Sequence, residues 1–99
     1  MISYAGKKVL VRGIQSGVYF GELVDRVGQE VELKNVRNLW AWHGANTLLD
    51  VAENGVEQKN CRFSNFVENI VLTDVCEIVP CSDNAISNIE GMQSWIFQK

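Results

Sequence analysis

A chain of 99 residues, 46% hydrophobic and 21% charged, fits one globular domain over 1–99 and leaves no room for a deep, fully enclosed active site. Its formal charge of −3 argues against binding duplex DNA, and is spread too thinly to imitate it. Three cysteines, no signal-peptide pattern and no apolar run near the roughly 20 residues of a membrane helix predict a cytoplasmic protein with free thiols and no membrane partner.

The first forty residues read as a β-meander. Lys8–Ile14 is rich in β-branched residues, and Gln15-Ser16-Gly17 is a short turn. Val18–Val27 follows, with Val18, Phe20 and Val24 on one face and Tyr19, Leu23 and Asp25 on the other. Gly21 inside this strand predicts a bulge or a close backbone approach. Gly28-Gln29 makes a two-residue hairpin connection to Glu30–Leu33. The alternation falters at Asn35. With the strand resuming at Val36, Asn38, Trp40 and Trp42 share one face, while Arg37, Leu39, Ala41 and His43 share the other.

Past Gly44, residues Ala45, Leu48, Leu49 and Ala52 fall at i, i+3, i+4 and i+7, an amphipathic helix that Gly55 closes. Val56–Arg62 reads as a polar loop. Phe66–Asp74 and Cys76–Cys81 read as two further strands, the second ended by Pro80, which has no N–H to donate. Ser82 or Asp83 caps a closing helix with Ala85, Ile86, Ile89 and Met92 as its buried stripe. The apolar Trp95-Ile96-Phe97 is expected to dock on the sheet or on a second subunit. The predicted fold class is α+β, an antiparallel β-sheet of about five strands with two short helices.

Catalytic and metal constellations are weak. His43 is the sole histidine, and nothing beside Cys61, Cys76 or Cys81 marks an activated thiolate. Zinc knuckles need closely spaced ligand pairs, whereas Cys76 and Cys81 would point to opposite faces of a strand. Glu30/Glu32, Glu68 and Glu77 read as solvated strand positions, with no acid in an apolar pocket. Neither standard phosphate-loop pattern occurs among the eight glycines. The expectation is no catalytic residue, no metal and no cofactor.

What remains is Arg37-Asn38-Leu39-Trp40-Ala41-Trp42-His43, with Arg62-Phe63 as a second Arg/aromatic pair. A guanidinium grips phosphate bidentately and an indole or phenyl face stacks on a base, so these residues suit a nucleotide ligand. Core packing is the alternative for at least one of the tryptophans. Interface cores also favour Trp and Arg, so a protein partner fits the same segment.

The ordered pieces G-V-x-x-G-x-L at Gly17–Leu23, E-V-x-L at Glu30–Leu33, R-x-L-W-x-W-x-G-A at Arg37–Ala45, C-x-F at Cys61–Phe63 and E-I-x-P-C at Glu77–Cys81 cover nearly the whole chain. Together they resemble a family of small bacteriophage and prophage proteins classed as a domain of unknown function. That family is similar in turn to the phage anti-defence "sponge" proteins that counter the Thoeris system. Sponges bind cyclic ADP-ribose isomers, in some cases cyclic oligonucleotides, without cleaving them, in pockets at the subunit boundaries of homo-oligomers. The resemblance implies a phosphate-gripping role for Arg37 and a base-stacking role for Phe63. It stops short at the C-terminus, where sponges carry further arginines and this chain has no basic residue after Arg62 except Lys99.

The function expected is therefore a phage-encoded, non-enzymatic binding protein that sequesters a small nucleotide-derived immune signal as a homo-oligomer. Its ligand-binding residues would be Arg37, Trp40, Trp42, His43, Arg62 and Phe63. The alternative is a protein–protein inhibitor of a host defence enzyme, of the anti-CRISPR or anti-restriction type.

Overall fold

The chain is seen here in a computed structural model that describes residues 3–95. Its order is β1 (Lys8–Gly13), β2 (Gly17–Val27), β3 (Glu30–Ala41), α1 (Leu48–Asn54), β4 (Arg62–Phe63), β5 (Val67–Leu72), β6 (Val75–Pro80) and α2 (Asp83–Gly91). All strand pairs are antiparallel, so the fold is α+β as the sequence predicts, with six strands among the described residues. The addition is β4, a two-residue strand at the end of the expected loop that pairs with the far end of β3.

The sheet curls. The strand order is β4-β3-β2-β1-β6, with β5 also on β3, so β5 and β6 lie at opposite ends of the order. Only residues 73 and 74 join them, which draws those two ends together into an open barrel. Inside it lie Val9, Val11, Leu23, Val31, Leu33, Val36, Leu72 and Val75. On the outer face α1 and α2 cover Leu10, Val18, Phe20, Leu39 and Phe63. The central strand β1 is buried on both faces, and its run Val9-Leu10-Val11 has the continuous apolar character such a strand needs.

Bulges decide which side chains face which core. Gly21 sits where a Cβ would meet Lys34 O and Val36 Cβ at 3.2 Å, beside a register shift between β2 and β3. Asn35 adopts φ 49° in that bulge, so Leu33 and Val36, an odd and an even residue, both reach the barrel interior. A second shift leaves Val24 as an extra residue of β2, and it is exposed rather than sharing the core of Val18 and Phe20. A third lies between Leu39 and Ala41, where Trp40 is the extra residue opposite β4. Trp40 and Trp42 consequently do not share a face: Trp40 is exposed, whereas Trp42 packs against the helix-side core.

Both helices are capped from the sequence. Thr47 accepts a hydrogen bond from Asp50 N and starts α1, and Gly55 N–H donates to Val51 O to end it. The helix begins later than the predicted stripe. Leu48, Val51 and Ala52 are buried while Leu49 is exposed, because the cap at Thr47 sets a different rotation from one begun at Ala45. Ser82 caps α2 by accepting from Ala85 N, and Ala85, Ile89 and Met92 bury as predicted, with Ile86 partly so. Pro80 ends β6, which pairs only with β1 among the described residues.

Candidate functional site

Two arginines, each set against two aromatic rings, occupy the end of β3 and the strand beside it. Arg37 comes from the part of β3 facing the helices, where it is 1% exposed. Its Nε and Nη2 donate to Ser64 O at 3.0 and 2.8 Å. Nη1 donates to Ile89 O and Met92 O, both at 2.8 Å, and Nη2 also donates to Ser94 Oγ at 3.2 Å. All five N–H groups are thus engaged. The rings of Phe63 and Phe66 lie 5.3 and 4.5 Å from its guanidinium carbon.

Chemically, Arg37 is a C-terminal cap for α2 supplied by a strand. The last turn of that helix carries no basic residue of its own, and Arg37 adds to the long bond from Met92 N to Ile89 O (3.4 Å) the donors that the end of the helix lacks. Burial lowers the pKa of this guanidinium, and the carbonyl shell is what it has in place of a carboxylate. The arrangement leaves no donor of Arg37 turned outward.

Arg62 is built the opposite way. It pairs with Ala41 through β4, and its side chain lies on the protein surface. Trp40 and Trp95 flank it, with ring centroids 5.5 and 4.5 Å from the guanidinium carbon. Trp40 is 54% exposed and Trp95 50%. No carboxylate pairs with Arg62 among the described residues. A guanidinium that lies over aromatic rings can still present its N–H edge to an oxyanion in plane.

Of the residues singled out from the sequence, Trp40 and Arg62 come together here. Arg37 and Phe63 lie in the interior, Phe63 fully buried within the helix-side core. Trp42 is partly buried against that core, and His43 is exposed beyond the end of β3. His43 donates its backbone N–H to Cys61 Sγ at 3.4 Å and accepts at its carbonyl from Glu57 N. Trp95 was not among the expected site residues. Its N–H donates to Phe63 O at 2.9 Å, which lays the C-terminal segment along β4. The signal for it was its membership of an apolar tail expected to dock; Ile96 and Phe97 of that tail lie outside the described residues.

The thiols do not converge. Cys61 and Cys81 are partly buried, Cys76 is exposed, and burial pushes the Cys81 thiol up to about 12. Among the described residues no group of three or more His, Cys, Asp or Glu side chains could hold a metal ion. No described helix is long and apolar enough to cross a membrane.

Curled sheet and helical cover define a small α+β domain that exposes Trp40, Arg62 and Trp95 together. The chain matches the family model described as "Domain of unknown function (DUF6948)" over residues 6–89, and it belongs to that family. No curated protein and no solved structure matches it.

Proposed function

We propose that this is a non-enzymatic binding protein whose contact site is the Trp40-Arg62-Trp95 stack, with His43 and the exposed part of Trp42 nearby. The observation that carries the reading is Arg62 itself, an exposed guanidinium within 5.5 Å of two half-exposed indole rings with no acid partner among the described residues. Such a group takes an oxyanion along its edge, and the outer indole faces offer stacking surface for a base. On this reading the ligand is a nucleotide-derived anion, sequestered without cleavage. The biological role is phage-encoded interference with a host immune signal in the bacterial cytoplasm. The stack lies open on one chain, so enclosing a small ligand takes a second subunit, in keeping with a homo-oligomer.

Titration calorimetry against cyclic oligonucleotides, cyclic ADP-ribose isomers and linear ADP-ribose tests this. Binding to at least one, weakened about tenfold or more by Arg62→Ala, is the expected outcome. Absence of heat with every one of them rejects the nucleotide reading.

The openness of the stack also favours a second reading, docking on a host defence enzyme. Trp and Arg are the residues that dominate protein interfaces. A stoichiometric host protein recovered by wild type and lost with Arg62→Ala and Trp40→Ala would support it.

A further inference from the structure

Two strands of the sheet, β5 and β6, have an edge without a partner, and the two edges are built differently. β2 runs along one side of β3, so β4 and β5 share the other side. Trp95 N donates to Phe63 O, which lays the described C-terminal segment along β4 and not along β5. Among the described residues β5 pairs with β3 alone and β6 with β1 alone.

Natural sheets defend such edges with bulges, prolines or lysines. β6 has two of these devices, the extra residue Cys76 between the pairs Arg12↔Glu77 and Gly13↔Val75, and Pro80 at its end. β5 has none of them. Its pairing with β3 keeps one register from Val31↔Leu72 to Val36↔Val67, and Val67–Leu72 contains no proline and no basic residue. Apolar side chains are concentrated there as well, with Phe66, Val67 and Val71 exposed by 42, 54 and 55%. High β propensity with Glu68 as the single charge is the composition of segments that pair with their own kind.

A second copy of the chain fits this edge better than an unlike partner. One carboxylate offers no charge pattern by which a different chain would be selected, whereas antiparallel self-pairing can keep that carboxylate clear of its equivalent. Two-fold registers centred on Asn69 or on Ile70 set Glu68 opposite Ile70 or Leu72 of the second copy. In the same registers Val71 gains Val67 or Asn69 of the second copy as its cross-strand neighbour.

We propose that β5 is a dimerisation edge, at which two copies of this chain pair their β5 strands antiparallel about a two-fold axis. The proposal rests on the function proposed above only for the presence of a homo-oligomer, and it names the strand that forms it. β4 lies on the same side of β3, so the second copy arrives beside the Arg62 surface.

Sedimentation equilibrium and hydrogen–deuterium exchange test the proposal. The wild type should reach twice the mass of one chain, and amides within 67–72 should exchange more slowly as rising concentration populates the dimer. Val71→Lys, at an exposed position, introduces a charge twice into the pairing. It should raise the dissociation constant about tenfold or more and remove that protection, with the far-UV circular dichroism of the wild type retained. Val71→Thr, which keeps a β-branched side chain, should stay within about threefold of the wild type. Val27→Lys, exposed but on β2, should leave association unchanged. Arg62→Ala should remain dimeric, so a dimer that binds no nucleotide rejects the nucleotide reading and leaves this interface standing. A wild type that stays monomeric, an oligomer of another order, protection confined to segments other than β5, or a dimer that survives Val71→Lys would each overturn the proposal.

Discussion

Arg37 and Arg62 have nearly the same neighbours in kind and opposite uses. Each guanidinium lies against two aromatic rings within 5.5 Å. Around Arg37 every N–H is directed at the protein's own oxygens, at the end of α2, on Ser64 and on Ser94. Around Arg62 the rings are present, and among the described residues no side-chain acceptor meets its guanidinium. An arginine beside aromatics is therefore not in itself a ligand site. The difference lies in whether the fold has already supplied the acceptors, and here it did so for the arginine that faces a helix terminus.

Replacing Arg37 should have the largest effect on stability. Arg37→Ala removes the guanidinium donors from the buried Ile89 and Met92 carbonyls and from part-buried Ser64 O, and opens a void beside Phe63, a loss of about 3 kcal/mol. Urea denaturation measures it. A loss below about 1 kcal/mol would mean that Arg37 resembles Arg62 after all.

Gly21→Val should come next, at about 2 kcal/mol, because the added side chain meets Lys34 O and the Cβ atoms of Leu33 and Val36. The bulge beside it sets which face Arg37 takes. Thermal unfolding monitored by circular dichroism reads this change.

Acid should have a smaller effect, centred on Asp74. Its carboxylate accepts from Ser16 Oγ at 2.7 Å and from Gln15 N and Ser16 N at 2.7 and 3.0 Å, tying the β1–β2 turn to the β5–β6 connection. These bonds, the Ser16 hydroxyl foremost, hold its pKa below the ordinary carboxylate value. The stability they add is full above about pH 4, where the unfolded Asp is ionised, and is lost as pH falls through the lower folded value. Asp74→Asn should flatten that part of the stability curve below pH 4, measured by melting temperature against pH.

Arg62→Ala should have the least effect on stability, about 0.5 kcal/mol for an exposed cation–π pair, while shifting tryptophan fluorescence. A large loss of stability instead would place Arg62 with Arg37 among the structural residues.

Much of the fold was legible because local rules governed it. The Gly28-Gln29 connection, the Ser82 cap, the stripe of Ala85, Ile89 and Met92, the halt at Pro80 and the bulge signalled by Gly21 and Asn35 all rest on near neighbours. What escaped was the counting of faces after a bulge. Alternation placed Trp40 and Trp42 together, yet the extra residue at Trp40 separates them, and Val24 turned outward for the same reason. The carbonyls that bind Arg37 lie some fifty residues further along the chain, at Ile89 and Met92, so no local pattern revealed that it was occupied. Trp95 reaches Arg62 only through the docked C-terminal segment, a contact between positions with no shared periodicity.

The pairing of β1 with β6 joins the two ends of the chain, Val9 to Pro80. During synthesis from the N-terminus, β1 to β3 can form their meander while one edge of β1 still lacks its neighbour. Arg37 is likewise without the carbonyls of Ile89 and Met92 until α2 has emerged. A nascent chain stalled before residue 75 should therefore display an unpaired edge on its most apolar strand and an arginine in search of acceptors, the state in which a chaperone would find most to hold. Emergence of residues 75–92 both zips that edge and settles that charge, so β6 and α2 complete a fold that β1 to β3 have begun.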